Sequence, residues 1–517
     1  MDTKGLKGKW VSDLGNGNFR NPVLYADYSD PDVIRVGDDF YMTASTFTYL
    51  PGLPILHSKD LVNWELINYA VRELQPRYNK PVHGCGVWAP SIRYHDGKFW
   101  IYYGDPDLGI MMTNTDDIRG EWSPLVCVKE GKGLIDTCPL WDEDGKAYIV
   151  HGYANSRCGI KSKLAVCEMT PDGTKVISED TIVFDGTVSH PTLEGPKFYK
   201  RNGYYYIMAP AGGVPTGWEV VLRSKNVYGP YEDRIVLRQG KTDINGPHQG
   251  GWVELENGEN WFMHFQDLEV YGRVAHLQPV TWINDWPAMG ENIDSGLCGQ
   301  PVIEYKKPNV GNEYPIKAIV TSDDFSSDTL GLQWQWQANN KKEWYSLTEN
   351  PGHLRLYSED VTGGEDSYMW NLPNVLTQMW QAPAMITTVK VDMPKGTGKN
   401  KAALGVVGLK YGYIALVDDG TVIFVKGETK NGGDKADEYL VTDKIITDTS
   451  VYLRTEVIGR RNGMEAKVRC SYSTDGNEFF TLGEFDAMQG KWVGAKHAIF
   501  CVGEKGGYAD FSDFTIL

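Results

Sequence analysis

The chain has 517 residues and a formal net charge of −17 at neutral pH, so two or more domains with their own cores are expected. The acidic balance argues against nucleic acid or an anionic membrane surface as a partner, because phosphate groups would be repelled, and it favours a neutral ligand. An aromatic fraction of 12% together with 57 glycines is typical of turn-rich β structure.

Cysteine usage and hydropathy restrict the class of protein further. The eight cysteines are scattered without a C-x-x-C pair, so free thiols are expected rather than a disulfide framework. No apolar run reaches about 18 residues, so no membrane span is predicted. The polar first residues predict a cytoplasmic protein, or a periplasmic or secreted one if an export signal has been removed. The oligomeric state is left open.

A two-strand unit with a Gly-containing turn recurs five times in the first half of the chain. The copies read VIRVGDDFYM, SIRYHDGKFWIYY, LWDEDGKAYIVHG, KFYKRNGYYYIMA and WVELENGENWFMHF. The steps between them are 59, 48, 57 and 56 residues when the equivalent positions are taken as Tyr41, Trp100, Tyr148, Tyr205 and Trp261. This spacing leaves room for two more strands per copy. It predicts a five-bladed β-propeller within residues 1–312.

The repeat ends in a loop-rich connector, after which the pattern changes. Residues 293–315 contain three prolines and no clear strand period. Short alternating segments such as HLRLYS, MITTVKVDM and KVRCSYS follow. They predict an antiparallel β-sandwich of the jelly-roll or concanavalin-like kind over residues 313–517. The predicted fold class is therefore all-β throughout.

Three carboxylates directly precede the first strand of a repeat copy: Asp30, Asp136 and Glu194. In a propeller, ligands bind near the axis where the innermost strands begin, so we expect these acids to meet at one site. The apolar flanks of Glu194 favour a carboxyl that keeps a proton for general acid catalysis. Each acid taken alone could equally be a turn residue.

With these motifs, the chain resembles glycoside hydrolase family 43, the five-bladed β-xylosidases and α-L-arabinofuranosidases. Matching segments include NPVLYADYSDPDVIRVGDDFYMTASTF, GVWAPSIRYHDGKFWIYY, GLIDTCPLWDEDGKAYIV, LEGPKFYKRNGYYYI and, in the second half, SDDFSSDTLGLQWQWQAN. The resemblance implies that Asp30 is the general base, Glu194 the general acid and Asp136 the residue that orients and modulates the acid. It also implies inversion, with about 6.5–9.5 Å between base and acid. Asp32 is a second acid near the base, and Asp30 is favoured.

The resemblance also suggests residues around the acids. Arg273 matches an arginine that approaches the substrate hydroxyls, and its charge would offset repulsion among the acids. Trp88, Phe47 and Tyr49 are candidate walls of a sugar pocket, although aromatic residues are more often core. His248 resembles a histidine near the propeller axis that is sometimes next to calcium, with a satisfied core histidine as the commoner alternative. No cofactor is expected for the chemistry itself.

The sequence thus predicts an exo-acting inverting glycosidase that acts on an oligosaccharide. The favoured activity is release of terminal non-reducing α-L-arabinofuranosyl residues from hemicellulose side chains of xylan, xyloglucan or arabinan. An exo-β-1,4-D-xylosidase, or an enzyme with both activities, is the close alternative. A non-catalytic carbohydrate-binding propeller and an endo-acting arabinanase are the rival hypotheses.

Overall fold

The computed structural model describes residues 8–361, 363–460 and 463–517. Within these ranges almost all regular structure is β-strand, and the one α-helix, α1, is the four-residue turn Asn155–Cys158. Short 3₁₀ turns lie at Pro76–Asn79, Glu269–Tyr271, Lys342–Trp344 and Gly364–Ser367. No helix in these ranges is both long and apolar enough to cross a bilayer. The all-β prediction is confirmed.

Five four-stranded antiparallel sheets follow one another along the chain as the blades of a propeller. After the short strand β1 (Asn18–Arg20), blades one and two comprise β2 (Asp32–Val36), β3 (Asp39–Thr43), β4 (Gly52–Ser58), β5 (Trp64–Val71), β6 (Trp88–His95), β7 (Lys98–Asp105), β8 (Gly109–Thr115) and β9 (Val126–Glu130). Blades three to five comprise β10 (Leu134–Trp141), β11 (Ala147–Tyr153), β12 (Lys163–Met169), β13 (Thr181–Asp185), β14 (Lys197–Arg201), β15 (Tyr204–Ala211), β16 (Trp218–Ser224), β17 (Glu232–Arg238), β18 (His248–Glu254), β19 (Asn260–Asp267), β20 (Arg273–Ile283) and β21 (Trp286–Met289).

The first strand of each blade is the innermost one. Strand β2 contacts both β6 and β18, and β10 contacts both β6 and β14, so the ring closes between blades one and five. Tight turns join the first two strands of the blades. In blades two and four, Asp96-Gly97 and Asn202-Gly203 have positive φ at both turn residues, which is the turn geometry that matches strand twist. The predicted hairpin unit is therefore present.

The ring is closed by a clasp rather than by a blade shared between the two ends of the repeat region. Strand β1 pairs antiparallel with β22 (Glu304–Lys306), which follows the last blade. The side-chain amide of Asn21 donates to Leu277 O at 2.9 Å and to Val302 O at 2.8 Å. These contacts fasten the segment before blade one onto blade five and the connector.

The second region is a two-sheet β-sandwich. Its strands are β23 (Gln335–Trp336), β24 (Tyr345–Ser346), β25 (Leu354–Tyr357), β26 (Glu359–Asp360), β27 (Leu376–Met379), β28 (Ala384–Asp392), β29 (Lys401–Val407), β30 (Lys410–Val417), β31 (Thr421–Lys430), β32 (Lys435–Ile445), β33 (Ser450–Arg460), β34 (Glu465–Ser473), β35 (Phe480–Ala487), β36 (Lys496–Gly503) and β37 (Tyr508–Ile516). One sheet has the order β23-β27-β36-β29-β30-β31-β32, with β26 beside β36, and the other has the order β24-β25-β37-β28-β33-β34-β35. The predicted domain boundary at 312/313 falls between β22 and β23.

The sandwich packs directly on blades one and five. One apolar cluster contains Tyr271 from the propeller together with Trp336 and Trp380 from the sandwich. Leu50 and Trp336 exchange backbone hydrogen bonds, at 2.9 Å from Leu50 N and 2.5 Å from Trp336 N. The hydroxyl of Tyr271 donates to Pro383 O at 2.6 Å. The two regions therefore share an interface of apolar side chains and backbone hydrogen bonds beside the mouth of the propeller.

Candidate active site

The first strand of every blade begins with the same backbone irregularity. One residue there has a positive φ in each blade: Asp30 (54°), Ala89 (35°), Asp136 (56°), Gly195 (60°) and Gln249 (36°). In blades two, three and five the strand register also shifts, between Trp88 and Ser91, Ile135 and Cys138, and His248 and Gly250. Bulges and left-handed residues turn side chains away from the faces to which a regular strand would direct them.

These irregular positions meet in one cavity of about 320 Å³. Asp30, Ala89, Asp136 and Gln249 line it, and so does Glu194, which immediately precedes Gly195. The three predicted acids therefore come together from blades one, three and four. Asp30 and Asp136 are themselves the residues with positive φ in their blades, whereas Glu194 comes one residue before the positive-φ residue Gly195. The three positions are therefore nearly but not fully equivalent.

Asp30 is held by hydroxyl groups and a guanidinium. Its Oδ2 accepts hydrogen bonds from Ser29 Oγ and Ser45 Oγ, both at 2.6 Å. Arg273 Nη1 donates to Ser29 Oγ at 2.8 Å and lies 3.5 Å from Asp30 Oδ1. Ser45 is fixed in turn, because its hydroxyl accepts from Ala89 N at 2.7 Å. The carboxylate is thus oriented in the cavity wall, as a proton acceptor must be.

Asp136 is buried beneath the cavity surface beside the backbone of Glu194. Its Oδ2 accepts a hydrogen bond from Gly195 N at 2.9 Å. Burial raises the pKa of Asp136, and the charges of Glu194 and Asp30 raise it further. The pKa of Asp136 therefore depends on the charge of both other acids, so the proton occupancy of this group is linked to the state of the whole site.

Glu194 reaches the cavity with part of its side chain exposed, and His248 holds it. His248 Nε2 lies 3.2 Å from Glu194 Oε1. The imidazole is buried, and among the described residues its Nδ1 has no hydrogen-bond partner. Nδ1 could supply one ligand to a cation. Calcium takes about six to eight oxygen ligands, so water would have to supply nearly all of the remaining ligands. The fit to calcium is therefore partial.

The predicted aromatic walls separate into two groups. Trp88 and Phe47 line the cavity. Tyr49 is not among the described residues of the lining, and it packs with Phe47 and Val493 in a small apolar cluster. Asp32 also lies outside the lining, where its buried Oδ2 accepts from Ile92 N at 2.8 Å and pairs with Arg93 at 2.6 Å.

A loop of the second domain completes the cavity. Trp492, which lies between β35 and β36, lines the cavity, and its ring centroid is 5.9 Å from the Arg273 guanidinium carbon. The loop is fastened to the propeller by Gly494 N, which donates to Asp27 Oδ2 at 2.8 Å, and by Ala495 N, which donates to Val270 O at 2.8 Å. Asp27 Oδ1 accepts from Arg273 N at 2.9 Å. Asp27 therefore connects this loop to the residue that contacts the base.

The sequence analysis missed several residues of this site. Gln249 occupies the blade position of Asp30 and Asp136, so aligning the repeats one residue at a time could have found it. Ser45 and Tyr153 follow no repeat signal. Trp492 lies more than two hundred residues beyond the last blade, and nothing in its local pattern indicates that its loop reaches the propeller.

Comparison with known proteins adds a family assignment to this geometry. The sequence model described as Glycosyl hydrolases family 43 matches residues 19–287, and the one described as Beta xylosidase C-terminal Concanavalin A-like domain matches residues 322–516. A solved structure of a bifunctional GH43-CE protein from Bacteroides eggerthii has a TM-score of 0.81 and 29% identity. It covers 96% of this chain, which spans 63% of that protein.

Three relatives carry names that specify an activity. A protein of Xylanibacter ruminicola with a provisional beta-xylosidase name is 39% identical over 96% of this chain and 88% of its own length. A beta-xylosidase of Formosa agariphila is 34% identical over 99% of this chain and 92% of its own length. A non-reducing end alpha-L-arabinofuranosidase of Bacteroides ovatus is 35% identical over 68% of this chain and 67% of its own length.

Proposed function

The chain belongs to glycosyl hydrolase family 43, and on that premise we propose that it is an exo-acting, inverting glycosidase that releases terminal β-D-xylosyl residues from hemicellulose oligosaccharides. One observation carries the proposal. Asp30 and Glu194, from the non-adjacent blades one and four, open onto one cavity together with Asp136. Two carboxyls on separate blades can stand on opposite sides of a sugar with a water molecule between them, as inversion requires.

In the proposed mechanism, each acid has one task. Asp30 removes a proton from a water molecule, whose oxygen attacks the anomeric carbon from the side opposite the leaving group. Glu194 donates its proton to the glycosidic oxygen as the bond to the anomeric carbon breaks. Asp136 orients Glu194 by accepting the hydrogen bond from Gly195 N, the next residue in the chain. When Asp136 is ionised, its negative charge also stabilises the protonated form of Glu194.

The size and the lining of the cavity support action at chain ends. Its volume of about 320 Å³ is at the small end of the usual range for ligand pockets. Trp492 from the sandwich loop forms one side, where an endo-acting enzyme would need an open groove. Trp88 and Phe47 offer apolar faces to the C–H groups of a sugar ring. A non-catalytic binding protein would have no need for three acids at this cavity.

The choice of xyloside over arabinofuranoside reverses the preference drawn from the sequence. Two relatives named as beta-xylosidases match over 96% and 99% of this chain. The relative named as an alpha-L-arabinofuranosidase matches over 68% of it. We therefore place α-L-arabinofuranosidase activity second, as the alternative or additional activity of the same pocket.

The proposed chemistry uses carboxyl groups and no metal. If a calcium ion binds near the axis, His248 Nδ1 would be its protein ligand. We place such an ion in a structural role. Chelation followed by addition of calcium should then change the thermal midpoint more than kcat.

Two measurements test the proposal. The ratio of kcat/KM for an aryl β-D-xyloside to that for an aryl α-L-arabinofuranoside is expected to exceed one, and a ratio below one would move the arabinoside to first place. Proton NMR of the first product should show α-xylose from the β-xyloside. Early accumulation of β-xylose would refute inversion and with it the assignment of Asp30 as base. The Asp30→Asn variant is the control for background hydrolysis.

A further inference from the structure

Blade three contains a second cluster of reactive side chains, separate from the three acids. It consists of His151 on β11, Cys167 on β12 and Asp180, which precedes β13. One nitrogen, sulfur or oxygen atom from each residue lies within 4.8 Å of the other two. His151 and Cys167 are fully buried, and the side chain of Asp180 is 23% exposed. Neither the family resemblance nor the proposed chemistry uses these residues.

The imidazole of His151 faces an oxygen acceptor on both sides. Its Nδ1 lies 3.1 Å from Gly152 O, and its Nε2 lies 3.0 Å from Asp180 Oδ1. Two neutral tautomers are compatible with these contacts: an Nε2–H can donate to Asp180 Oδ1, or an Nδ1–H can donate to Gly152 O. In the Nδ1–H tautomer, Nε2 directs a lone pair at a carboxylate, which is unfavourable. A cation shared by Nε2 and the carboxylate would remove this conflict in the Nδ1–H tautomer.

The separations suit a small shared cation. Two ligands of one tetrahedral zinc ion at ordinary Zn–N and Zn–O lengths are about 3.3 Å apart, close to the 3.0 Å between Nε2 and Oδ1. A metal-bound histidine usually donates its other N–H to a carbonyl or carboxylate, and Gly152 O lies 3.1 Å from His151 Nδ1, in position to accept such a bond. The thiol of Cys167 completes the set and at present lies 3.8 Å from Ile149 O.

The geometry points to a zinc site formed by His151 Nε2, Cys167 Sγ and one oxygen of Asp180. Thiolate, imidazole and carboxylate together are the ligands that Zn²⁺ prefers. Binding forms the Zn–S bond, and the proton of the thiol leaves to solvent. The fourth position is filled by water from the side of Asp180, which is the exposed edge of the cluster.

Lys129 on β9 of blade two competes for this site. Its ammonium forms an ion pair with Asp180 Oδ1, the same oxygen that faces His151. In the metal-free protein, the ammonium is thus the counter-ion of the carboxylate. The competing explanation of the cluster is a permanent hydrogen-bonded network of Lys129, His151 and Asp180, with Cys167 as an inert core residue.

The site is one residue away from the catalytic cavity. Tyr153 Oη donates to Asp180 Oδ2 at 2.8 Å, and Tyr153 lines the cavity of the three acids. A metal ion on Asp180 would fix this carboxylate and with it the tyrosine. Metal binding would therefore restrict the motion of Tyr153 in the cavity wall.

Titration of the chelator-treated protein with Co²⁺ tests the inference, because cobalt bound to thiolate absorbs in the near ultraviolet. We expect one equivalent of cobalt to develop this band and Zn²⁺ to remove it. Cys167→Ser should abolish the band. Cys470→Ser, at an equally buried cysteine of the sandwich, should leave it unchanged. Lys129→Met should tighten cobalt binding by about tenfold or more, because the competing positive charge beside Asp180 is gone.

Each outcome decides between the two explanations. If the cluster is a permanent hydrogen-bonded network, the wild type should show no stoichiometric cobalt band. Lys129→Met should then have a lower free energy of unfolding and no increase in metal affinity. A band that survives Cys167→Ser would also overturn the site. If Cys167→Ser does not fold, His151→Gln serves as the second variant. It keeps the thiolate but removes a ligand, so the band should require a higher cobalt concentration to develop, and an unchanged titration would overturn the site.

Discussion

Replacement of Asp27 by alanine should loosen the sandwich loop from the propeller and weaken substrate binding. Its two carboxylate oxygens accept from Arg273 N at 2.9 Å and from Gly494 N at 2.8 Å, and all three residues are buried. Each buried N–H left without a partner costs about 1–3 kcal/mol. The two together give an expected loss of about 2–6 kcal/mol in the free energy of unfolding. Asp27→Asn, which keeps one acceptor oxygen, should lose less.

The kinetic effect of Asp27→Ala should fall mainly on KM, because the same loop carries Trp492. Urea denaturation and initial rates on an aryl xyloside measure the two effects. Asp418→Ala is the matched control, since buried Asp418 accepts from Gly398 N at 2.5 Å and from Lys399 N at 3.1 Å within the sandwich. Asp418→Ala should lower the free energy of unfolding without changing KM. Equal KM values in both variants and the wild type would refute the role assigned to Asp27.

Two further predictions concern the acids. Asp30→Asn and Glu194→Gln should each lower kcat by about 10²–10⁴-fold while xylose binding stays measurable by calorimetry, and a wild-type rate in either variant would contradict its role. Asp136→Asn should gain stability relative to the wild type as pH rises. The folded pKa of Asp136 is raised from 3.8 to about 8, so between these values the folded wild type binds more protons than the unfolded chain and loses stability with increasing pH. Urea unfolding at about pH 5 and about pH 8 measures this, and a constant difference between the variants would contradict it.

The propeller could be predicted from sequence because its determinants are local and repeated. Asp96-Gly97 and Asn202-Gly203 specify tight turns through their own backbone preferences, and aromatic strands recur at a nearly constant interval. The same repetition placed Asp30, Asp136 and Glu194 near one another. In blade four the residue with positive φ is Gly195, and the acid, Glu194, is the residue before it. The sequence does not show this one-residue offset, because it depends on the backbone conformation at the start of the blade.

The parts that could not be predicted depend on contacts between distant segments. The clasp between β1 and β22 has no pattern of its own and forms only when the ring brings the two strands together. Trp492 enters the site because a sandwich loop lies against Asp27 and Val270. Tyr49 was expected to form a wall of the pocket because sugar C–H groups pack on aromatic rings, and in the fold it packs with Phe47 and Val493. Only the packing distinguishes its position from that of Phe47.

The clasp has a consequence for how the protein would lose activity on heating. Each blade is a contiguous length of chain, so the ring can open between its first and last blades without breaking any blade sheet. The Arg273 side chain on blade five contacts Ser29 and Asp30 beside blade one, across that same junction. Partial opening there would displace the proton acceptor while every sheet stayed intact, so inactivation would precede melting and cooling would restore turnover.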